Sequence, residues 1–470
     1  MKILFCSAEV APFAQTGGLG EVCGALPLAL EKRGIDVSII LPRYRCVDVK
    51  RFAIERLNKD ISTATIGKNI KVYFIENDAL YDRDGIYGDK WGDYVDNLDR
   101  FSYFCKASLN AAKQLNLRPD VIHCHDWQAA LIPVYLKSIY ANDAFYKKTK
   151  SILTIHNLAY QGIFDKEEFD SLELNEKLFS IEGFEFYDYI NLLKGGILFS
   201  DLVTTVSQQY AKEIQTDEFG CGLNGVLGSR PFPVTGILNG IDYDAWNPQT
   251  DSLIAKRYSA ATWEDKYANK SKVQQEFKLK VDRNIPLFGF VGRLSAQKGI
   301  DLLYRSIDAI AKFDLQIVFL GVGEEKYYKM LEKMSEKYPR KISSVLKFDE
   351  TLSHKIYAGA DIFLMPSVYE PCGLSQMISL KYGTIPLVFK AGGLAETIIP
   401  FDPVSGQGNG FAFERYEKVD LVKTVKLAVD TYRQADVFKR LVRKAFDYDF
   451  SWGKSAAEYE KIYKQCSSSV

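Results

Sequence analysis

The sequence has no excess of charge of either sign, although it is long enough to display one. Lysine and arginine together number 60 among its 470 residues, and aspartate and glutamate together also number 60. A surface with this balance has no broad basic field that could hold a nucleic acid or an anionic membrane. We therefore expect no nucleic-acid partner, and any anionic ligand must be bound by a few local groups.

Paired cysteines and long apolar runs are also missing. The eight cysteines are scattered without a CxxC pair, and several stand within strand-like runs where a reduced thiol behaves as a small hydrophobic side chain. No apolar run approaches the ~20 residues that a membrane-spanning helix needs. These absences predict a cytoplasmic protein without a membrane partner.

What the chain does contain is a regular alternation of two patterns. Short runs rich in Val, Ile, Leu and Phe alternate with helical patterns, which is typical of parallel sheets covered by helices. The runs are KILFCSA, DVSIILP, KVYFIE, DVIHCHD, SILTIHN and LVTTVS, then PLFGFVGR, QIVFLGVG, ISSVLKF, DIFLMPS and TIPLVFK. Because single cores stop growing near about 250–300 residues, the pattern predicts two α/β domains that join between residues 240 and 260.

The chemically unusual residues stand where these strands end. In open α/β sheets, ligands bind beyond the carboxyl ends of the strands. The residues at these ends are His125 and Asp126, His156 and Asn157, Arg293, Gly321 and Gly323, and Glu370 to Gly373. If the two domains face each other across those ends, they form one deep cleft, and we expect a substrate to bind there.

The stretch FAQTGGLGEVCGAL is a glycine-rich loop that opens onto a helical pattern. Gly18, Gly20 and Gly24 imitate the dinucleotide fingerprint of a dehydrogenase. The segment EVAPFAQT separates them from the first strand, however, and the second strand ends in LPRY instead of an acidic residue, which argues against that class. Two interpretations remain: a tight turn before a helix, or helix N-terminal amides that bind anionic oxygens.

Two metal-like patterns carry little weight. His123 and His125 in HCHDW lie on one side of a strand, as any residues two apart do, and no third ligand has a recognisable spacing. The DxD pattern of metal-dependent glycosyltransferases occurs twice, at residues 82–84 and 242–244, where turn formation also favours aspartate. We therefore predict no metal site.

Two cations follow the first strand of the second half. In FVGRLSAQKGIDLL, Arg293 comes directly after a glycine, and Lys298 stands five residues later, before another glycine and a helical pattern. Arginine offers a planar fork to phosphate oxygens, and lysine offers a compact charge. The pair therefore favours a phosphate site, and a solvated loop with ordinary surface charges is the alternative.

The segment MPSVYEPCGLSQ complements these cations. Pro371 is predicted at the first position of a helix, which would leave the amides from Cys372 to Ser375 available to an anion. Glu370 precedes it, and a carboxylate there suits contact with sugar hydroxyls or with a developing positive charge. KAGGLAETI, with Gly392 and Gly393, supplies a second loop of this kind.

Taken together, these motifs resemble the bacterial glycogen synthase and plant starch synthase family. The resemblance runs from residue 1 to the final helical pattern, and it includes DNLDRFSYF near the family's acceptor region. The matching motifs, in the family's order, are TGGLGEV, HCHDWQAAL, TIHNLAYQG, ILNGID, GRLSAQKGIDLL, PSVYEPCGLSQ, AGGLAETI and SWGKSAAEY.

The resemblance implies an α/β fold of the GT-B glycosyltransferase type, with two Rossmann-like domains facing a central cleft. The expected domains are an acceptor-side domain over residues 1–245, a donor-side domain over 246–448, and a terminal helix over 449–470 that crosses back to the first domain. The implied reaction moves glucose from ADP-glucose to the non-reducing 4-hydroxyl of an α-1,4-glucan. Configuration is retained, and neither a metal nor another cofactor is implied.

The resemblance also assigns roles to individual residues. The catalytic group is expected to consist of Asp126, His156, Arg293, Lys298 and Glu370. The donor would also contact Gln15, Gly17, Gly18, Asn239, Cys372, Gly373 and Leu374, and the acceptor would contact Tyr94, Asn97 and His156.

The glycine-rich loop departs from the family's usual KTGGLGDV at two positions. Gln15 stands where a lysine contacts the donor, and Glu21 stands where aspartate is usual. Glutamine keeps hydrogen-bond donors and loses a full charge, so donor affinity or donor preference is expected to differ.

Three other functions stay open from the sequence. A glucan synthase that prefers UDP-glucose would share these motifs, and so would a sugar-nucleotide epimerase or isomerase on the same fold. Gln15 also suggests a glucan-binding protein that has lost activity. Oligomeric state is not predicted by any of these patterns.

Overall fold

The computed structural model describes residues 1–468 and divides the chain into two compact units. The first unit comprises Met1–Gly240 together with the C-terminal segment that begins at Trp452, and the second comprises Ile241–Ser451. The units therefore divide after Gly240 and after Ser451, beside the expected domain limits at residues 245 and 448.

The first unit is built on a nine-stranded sheet. Its strands are β1 (Lys2–Cys6), β2 (Asp36–Pro42), β3 (Glu55–Arg56), β4 (Ile61–Ile66), β5 (Ile70–Ile75), β8 (Val121–His125), β9 (Lys150–Ile155), β13 (Leu202–Thr205) and β14 (Thr235–Gly236). Two small sheets accompany it, formed by β6 (Gly88–Asp89) with β7 (Gly92–Asp93), and by β10 (Ile163–Asp165), β11 (Glu185–Phe186) and β12 (Tyr189–Asn191). The helices up to residue 240 are α1 (Gly18–Lys32), α2 (Asp78–Tyr81), α3 (Asn97–Gln114), α4 (Leu131–Lys137), α5 (Leu192–Phe199), α6 (Gln208–Glu213) and α7 (Asn224–Gly228).

The strand order of this sheet is β14-β13-β9-β8-β1-β2-β5-β4-β3. The strands from β14 to β5 run parallel, and β4 and β3 are added antiparallel. The central strands are buried on both faces, for example every residue of β8, because helices cover a parallel sheet on both sides. The order reverses between β1 and β8, and such a reversal is where α/β sheets bind ligands.

The second unit repeats this plan with a six-stranded parallel sheet. Its strands are β15 (Leu287–Val291), β16 (Gln316–Leu320), β17 (Ile342–Val345), β18 (Ile362–Met365), β19 (Ile385–Phe389) and β20 (Phe411–Phe413), in the order β17-β16-β15-β18-β19-β20. Its helices are α8 (Lys266–Glu276), α9 (Ile300–Ile310), α10 (Glu325–Lys337), α11 (Glu350–Gly359), α12 (Ser375–Lys381), α13 (Gly392–Thr397), α14 (Lys418–Arg433) and α15 (Ala435–Ala445). Here the order reverses between β15 and β18.

The chain ends in helix α16 (Trp452–Ser468), which belongs to the first unit and packs against α1. An ion pair between Arg33 and Glu460, 2.6 Å long, joins the end of α1 to this helix. Tyr463 of α16 lies deeper and hydrogen-bonds His123 in β8 across 2.8 Å. The helix predicted from SWGKSAAEYEKIYKQC is therefore confirmed, and it buries a polar contact beneath the sheet's central strand.

All the strand runs predicted from the sequence are strands of the two parallel sheets. The antiparallel edge formed by β4 and β3 was not predicted, because ISTATI and its neighbours lack the apolar density of the buried strands. The short β6–β7 hairpin was not predicted either, since strands of two residues carry no periodicity.

Candidate functional site

The glycine-rich loop follows β1 and is fastened by a buried carboxylate, that of Glu9. Its oxygens accept hydrogen bonds from the Thr16 amide (2.5 Å), the Thr16 hydroxyl (2.8 Å), the Gly17 amide (3.2 Å) and the Tyr87 hydroxyl (2.6 Å). Sequence analysis missed Glu9, because a single acidic residue in a loop has no spacing signal. The amide of Gly17, expected to contact a donor, is therefore already used within the loop.

The glycines of this loop serve different purposes. A Cβ on Gly24 would lie 2.5 Å from the carbonyl oxygen of Ala11, so this glycine is needed for close packing of α1 against the loop. A Cβ on Gly18 would meet nothing within 4 Å. Gly18 opens helix α1, whose first-turn amides have no acceptor within the helix. An anion could therefore approach α1 at Gly18, which favours the binding interpretation over a simple turn.

Gln15 lies on the exposed side of this loop. Its Nε2 donates a long hydrogen bond, 3.3 Å, to the carbonyl of Gly17. Its aliphatic part would be only 2.9 Å from a Cβ at position 20, so Gly20 leaves room for it. The side chain at position 15 is thus held beside the start of α1.

Asp126, at the end of β8, orients the end of the neighbouring strand β9. Its Oδ1 accepts a 2.7 Å hydrogen bond from the amide of His156. Burial raises the pKa of Asp126 to about 7, against the lowering effect of bonds from the amides of His156 and Asn157. Its φ of 55° lies in the left-handed region, which a residue other than glycine adopts at a cost and mostly at functional sites.

His156 is paired with a second histidine from the adjacent strand. His125 Nδ1 lies 3.0 Å from His156 Nε2, and both rings are buried. Burial lowers the pKa of His156 to about 3 and also lowers the pKa of His125 well below its ordinary value. Both rings are therefore neutral near pH 7, and each carries one N–H.

The environment of His125 Nε2 determines which of the two histidines donates the hydrogen bond between them. Within residues 1–468, His125 Nε2 is buried and has no hydrogen-bond partner. A buried N–H without an acceptor costs more than a bare lone pair, so the proton of His125 belongs on Nδ1. We infer that His125 Nδ1–H donates to His156 Nε2. His156 Nδ1 then carries the proton and can donate to a substrate oxygen.

His123 takes no part in this pair. Its Nδ1 bonds the hydroxyl of Tyr463 at 2.8 Å, and its Nε2 bonds the hydroxyl of Thr154 at 2.6 Å. Both ring nitrogens of His123 are therefore hydrogen-bonded within the core. His123 and His125 do not form the metal-binding pair that the pattern HCHDW suggests.

The DxD patterns are explained by local structure. Asp82 and Asp84 both pair with Arg45, at 2.8 and 2.5 Å. Asp242 Oδ1 accepts from the amide of Asp244, as in an ordinary aspartate turn.

Two of the expected acceptor residues lie near the β6–β7 hairpin: Tyr94 follows it, and Asn97 begins helix α3, whereas His156 follows β9. The guanidinium groups of Arg83 and Arg100 each lie 5.0 Å from the centroid of the Tyr94 ring. Asn97 donates to the carbonyl of Tyr87 at 2.9 Å and accepts from Arg100 at 2.7 Å. Asn97 therefore positions its neighbours, whereas the half-buried Tyr94 keeps part of its ring at the surface.

Asn239 lies at the end of the first unit and is 5% exposed. Among the described residues, its side-chain oxygen is buried without a hydrogen-bond partner. Such an orphaned acceptor is rare in folded proteins and is compatible with a ligand contact.

In the second unit, Lys298 and Glu370 meet at the point where the strand order reverses. Lys298 ends a single 3-10 turn, Ala296–Lys298, that follows β15, and its Nζ lies 2.6 Å from Glu370 Oε2. The loop after β18 is attached to this turn by a bond from the Val368 amide to the Gln297 carbonyl, 2.8 Å long. Arg293 follows β15 after Gly292 and is exposed. Two cations after β15 and one carboxylate after β18 therefore stand where the strand order reverses.

The helix after Glu370 begins later than expected. Helix α12 starts at Ser375, and Pro371 lies in the preceding loop, so the prediction of a helix start at Pro371 is wrong. Gly373 has a φ of 72°, a left-handed conformation that breaks the helical path between Pro371 and Ser375. Leu374 immediately precedes the helix.

The two glycine-containing loops of this unit pack directly on each other. A Cβ on Gly393 would lie 2.0 Å from the carbonyl oxygen of Cys372, and the Gly393 amide donates to the Glu370 carbonyl at 3.0 Å. The side chain of Gln376 also donates to the carbonyls of Cys372 and Gly373, at 3.0 and 2.9 Å. Glu370 is thus fixed by backbone contacts from the following loop.

Comparison with known proteins indicates the family to which this chain belongs. Residues 2–229 match the family profile of the starch synthase catalytic domain, and residues 271–445 match that of glycosyl transferases group 1. The chain is 44% identical to a glycogen synthase of Thermotoga maritima, with all of both chains covered. It is 45% identical to a glycogen synthase of Geotalea uraniireducens, with 99% of this chain and 98% of that one covered.

Solved structures agree in fold. The catalytic domain of starch synthase IV from Arabidopsis thaliana, solved with ADP and acarbose, has a TM-score of 0.91 and 34% identity over 99% of each chain. A sucrose-phosphate synthase from Thermosynechococcus elongatus, 17% identical with a TM-score of 0.61, shares the fold alone. Within residues 1–468, no helix is both long and apolar enough to cross a membrane.

Two doubly wound α/β units of this kind, with their unusual residues at the strand ends, define a glycosyltransferase of the GT-B class. The extent of the sequence matches narrows this class further. The chain belongs to the glycogen synthase and starch synthase family.

Proposed function

We propose that this protein transfers glucose from ADP-glucose to the 4-hydroxyl at the non-reducing end of an α-1,4-glucan, with retention of configuration. The observation that carries the proposal is the placement of Arg293 and Lys298 at the end of β15, where the strand order of the second unit reverses. Relatives of this chain are named glycogen synthase, and the starch synthase structure contains ADP and the oligosaccharide acarbose.

The cations suit the chemistry of the leaving group. Breaking the bond between glucose and phosphate places negative charge on the departing diphosphate, and fixed positive groups stabilise that charge in the transition state. In the proposal, Arg293 and Lys298 bind the diphosphate, and the backbone at Gly373, Leu374 and Gly18 contacts the donor. Turnover would then need no metal ion.

The Lys298–Glu370 pair bears on how configuration is retained. A double-displacement route needs a carboxylate nucleophile against the anomeric carbon. Glu370 is the candidate from the sequence, yet its Oε2 is already 2.6 Å from Lys298 Nζ. We therefore favour attack from the face on which the diphosphate leaves, with a phosphate oxygen accepting the proton of the acceptor hydroxyl. Glu370 would hold Lys298 and face the positive charge that develops on the ring.

Residues of the first unit have separate roles in this proposal. His156 would donate from Nδ1 to a hydroxyl of the transferred glucose, with Asp126 and His125 fixing its backbone and its tautomer. Tyr94 would stack on a sugar of the acceptor, since its ring is braced by two guanidinium groups. Asn239 would use its orphaned oxygen to accept a donor hydroxyl.

We also propose that the reaction takes place in the cytoplasm. The eight cysteines are all free thiols, and six of them are buried. This usage suits a reducing compartment.

The decisive assay uses purified protein and radiolabelled ADP-glucose or UDP-glucose, with and without glycogen, in the presence of a chelator. Labelled polymer from ADP-glucose, formed despite the chelator and in excess of that from UDP-glucose, is the expected result. Donor conversion without glycogen would instead identify an epimerase or isomerase. Glycogen binding without turnover would identify an inactive binding protein, and a strict need for metal would refute the role given to Arg293 and Lys298.

A further inference from the structure

Three side chains that can bind a metal meet beneath the start of α1. Cys23 comes from α1, His125 from the end of β8, and His156 from the residue after β9. One ligand atom from each lies within 4.8 Å of the ligand atoms of the other two, and all three residues are buried. No sequence spacing links residues 23, 125 and 156, so only the fold reveals the group.

The composition of this cluster matches a zinc site. Thiolate sulfur and neutral imidazole nitrogen are the ligands that Zn²⁺ prefers, at about 2.3 and about 2.0–2.1 Å. Ligand atoms around a tetrahedral ion at those distances lie roughly 3–4 Å apart. The widest separation in the cluster, up to 4.8 Å, would therefore need to shorten by roughly 1–2 Å. Three protein ligands also leave one position for water, as in zinc sites that exchange ligands.

One ring nitrogen of the cluster is not used by the fold. Cys23 forms no disulfide, but its thiol is hydrogen-bonded to the Ser7 side chain and burial raises its pKa, so a bound metal must replace that bond. Among the described residues, His125 Nε2 is buried without a hydrogen-bond partner, so this nitrogen is available to ligate a metal. His123, the neighbouring histidine of β8, differs because both of its nitrogens are bonded. The structure therefore selects Cys23, His125 and His156 and excludes the pair suggested by HCHDW.

We propose that Cys23, His125 and His156 form an inhibitory binding site for a thiophilic divalent cation, Zn²⁺. On binding, the Cys23 thiol releases its proton to solvent as the sulfur–zinc bond forms. The hydrated ion gives up water molecules for the sulfur and the two ring nitrogens, and keeps one. Turnover itself uses no metal in our proposed function, so the ion acts only as an inhibitor.

Inhibition follows from the shared use of His156. A metal bound to its Nε2 replaces the hydrogen bond from His125 Nδ1, and contraction of the cluster moves the ring away from its position against His125. This consequence rests on the proposed function of His156. Metal binding does not, and it is measured separately. Because Cys23 and His125 are closed to solvent and His156 is 9% exposed, we expect the ion to enter slowly beside His156.

The test starts from a parent protein that lacks the two exposed thiols, Cys46→Ser with Cys221→Ser, so that surface cysteines do not bind metal. Cd²⁺, which replaces Zn²⁺ at thiolate sites, is titrated while the thiolate-to-cadmium absorbance in the ultraviolet is recorded. We expect one equivalent to bind and to be removed by a chelator. Absence of this band in the parent would overturn the proposal without any further variant.

Two further variants of this parent locate the site. Cys23→Ala should abolish the band and raise the Zn²⁺ concentration for half-inhibition of glucan synthesis at least roughly tenfold, since one of three ligands is lost. The matched control is Cys105→Ala, which removes another buried thiol, one that donates to the Gln128 carbonyl. It should keep both the band and the inhibition. Equal cadmium binding in the Cys23→Ala and parent proteins would refute the assignment, and binding without inhibition would refute only the role of His156.

Discussion

Gln15 stands in the glycine-rich loop at the position where the family resemblance leads us to expect a lysine. Its amide makes only a long bond to the Gly17 carbonyl, so the position is free to accept a longer side chain. A hydrogen bond to a charged group contributes about 1.5–3 kcal/mol, against about 1 kcal/mol for a neutral one. We therefore expect Gln15→Lys to raise kcat/KM for ADP-glucose by roughly two- to thirtyfold.

Initial rates at saturating glycogen measure this effect. Gln15→Met has a similar length without donors or charge, and it should leave kcat/KM unchanged or lower it. If Gln15→Lys has the kinetics of the unmodified protein, the loop does not contact the diphosphate through this side chain.

His125 is expected to control which nitrogen of His156 carries the proton. His125→Phe keeps a ring against Phe5, which stacks on His125 at 5.1 Å, and removes the donor to His156 Nε2. Loss of a buried hydrogen bond of about 1–3 kcal/mol should lower kcat/KM by roughly five- to a hundredfold. The nitrogen chemical shifts of His156 should then no longer report a single Nδ1–H tautomer.

A variant with an amide donor separates this role from simple packing. His125→Gln restores an N–H at the end of the side chain and should recover part of the lost kcat/KM. If Phe and Gln variants are equally impaired, the tautomer of His156 is not set by His125.

At the scale of single residues, the sequence predicted functional residues that stand after strands. It did not predict residues whose role depends on contacts with distant parts of the chain. Asp126 and His156 stand directly after predicted strands, and Arg293 and Glu370 stand in the loops that follow two others, where a parallel sheet binds its ligands. Glu9 holds the glycine-rich loop through three hydrogen bonds and also bonds Tyr87, yet nothing in CSAEVAPF distinguishes it from a surface carboxylate. Long-range contacts of this kind need the folded chain.

At the scale of whole elements, helix α16 makes one buried contact and one partly exposed contact with the rest of the first unit. Tyr463 donates to or accepts from the buried His123, whereas the pair between Arg33 and Glu460 is partly exposed. Tyr463→Phe leaves a nitrogen of His123 buried without its partner, which should lower the free energy of unfolding by about 1–3 kcal/mol. Glu460→Gln should cost less than Tyr463→Phe, because exposed ion pairs contribute little.

Urea unfolding followed by tyrosine and tryptophan fluorescence gives both values. A larger loss in Glu460→Gln than in Tyr463→Phe would show that α16 is held mainly by its surface. Added salt should weaken only the Arg33–Glu460 contribution, because exposed charges are screened.

Helix α8 begins with a buried lysine whose charge depends on pH. Burial lowers the pKa of Lys266 to about 7, and its Nζ donates to the Ala358 carbonyl at 2.8 Å and to the Thr384 hydroxyl at 2.6 Å. Between this value and the ordinary lysine pKa near 10.4, the unfolded chain holds a proton that the folded chain has lost. The free energy of unfolding must therefore rise with pH from about 7 upward, by at most about 1.4 kcal/mol per pH unit from this group.

Lys266→Met removes the titrating group and keeps the length of the side chain. The difference in unfolding free energy between the unmodified protein and this variant, measured from pH 7 to 9, should grow in favour of the unmodified protein. A difference that does not change with pH would mean that Lys266 stays charged inside the second unit.

At the scale of the whole molecule, the sequence predicted two similar units because each repeats the same apolar rhythm. Both sheets place their first and fourth parallel strands side by side at the centre, β1 with β8 and β15 with β18. The prediction of a helix start at Pro371 was wrong because Gly373 adopts a left-handed conformation, which interrupts the helical backbone before Ser375. The sequence does not show whether a given glycine has a positive φ, since glycine also serves close packing. The edge strands β3 and β4 were missed because edge strands need not be apolar.

The two cations of the second unit and Tyr94 of the first unit should act on different ligands. Arg293 and Lys298 belong to the second unit, whereas Tyr94 belongs to the first. Removing both cations, in Arg293→Gln with Lys298→Met, should weaken ADP binding by roughly 10- to 100-fold for each charge-assisted bond lost, at about 1.5–3 kcal/mol per bond. The binding of glycogen should stay the same.

Tyr94→Ala should weaken glycogen binding and leave ADP binding unchanged, because stacking on sugar is lost while the cations remain. Calorimetric titration with ADP and co-sedimentation with glycogen measure the two effects independently. If either variant binds both ADP and glycogen more weakly, the separate roles given to the cations and to Tyr94 are wrong. A loss of ADP binding in one variant and of glycogen binding in the other supports them.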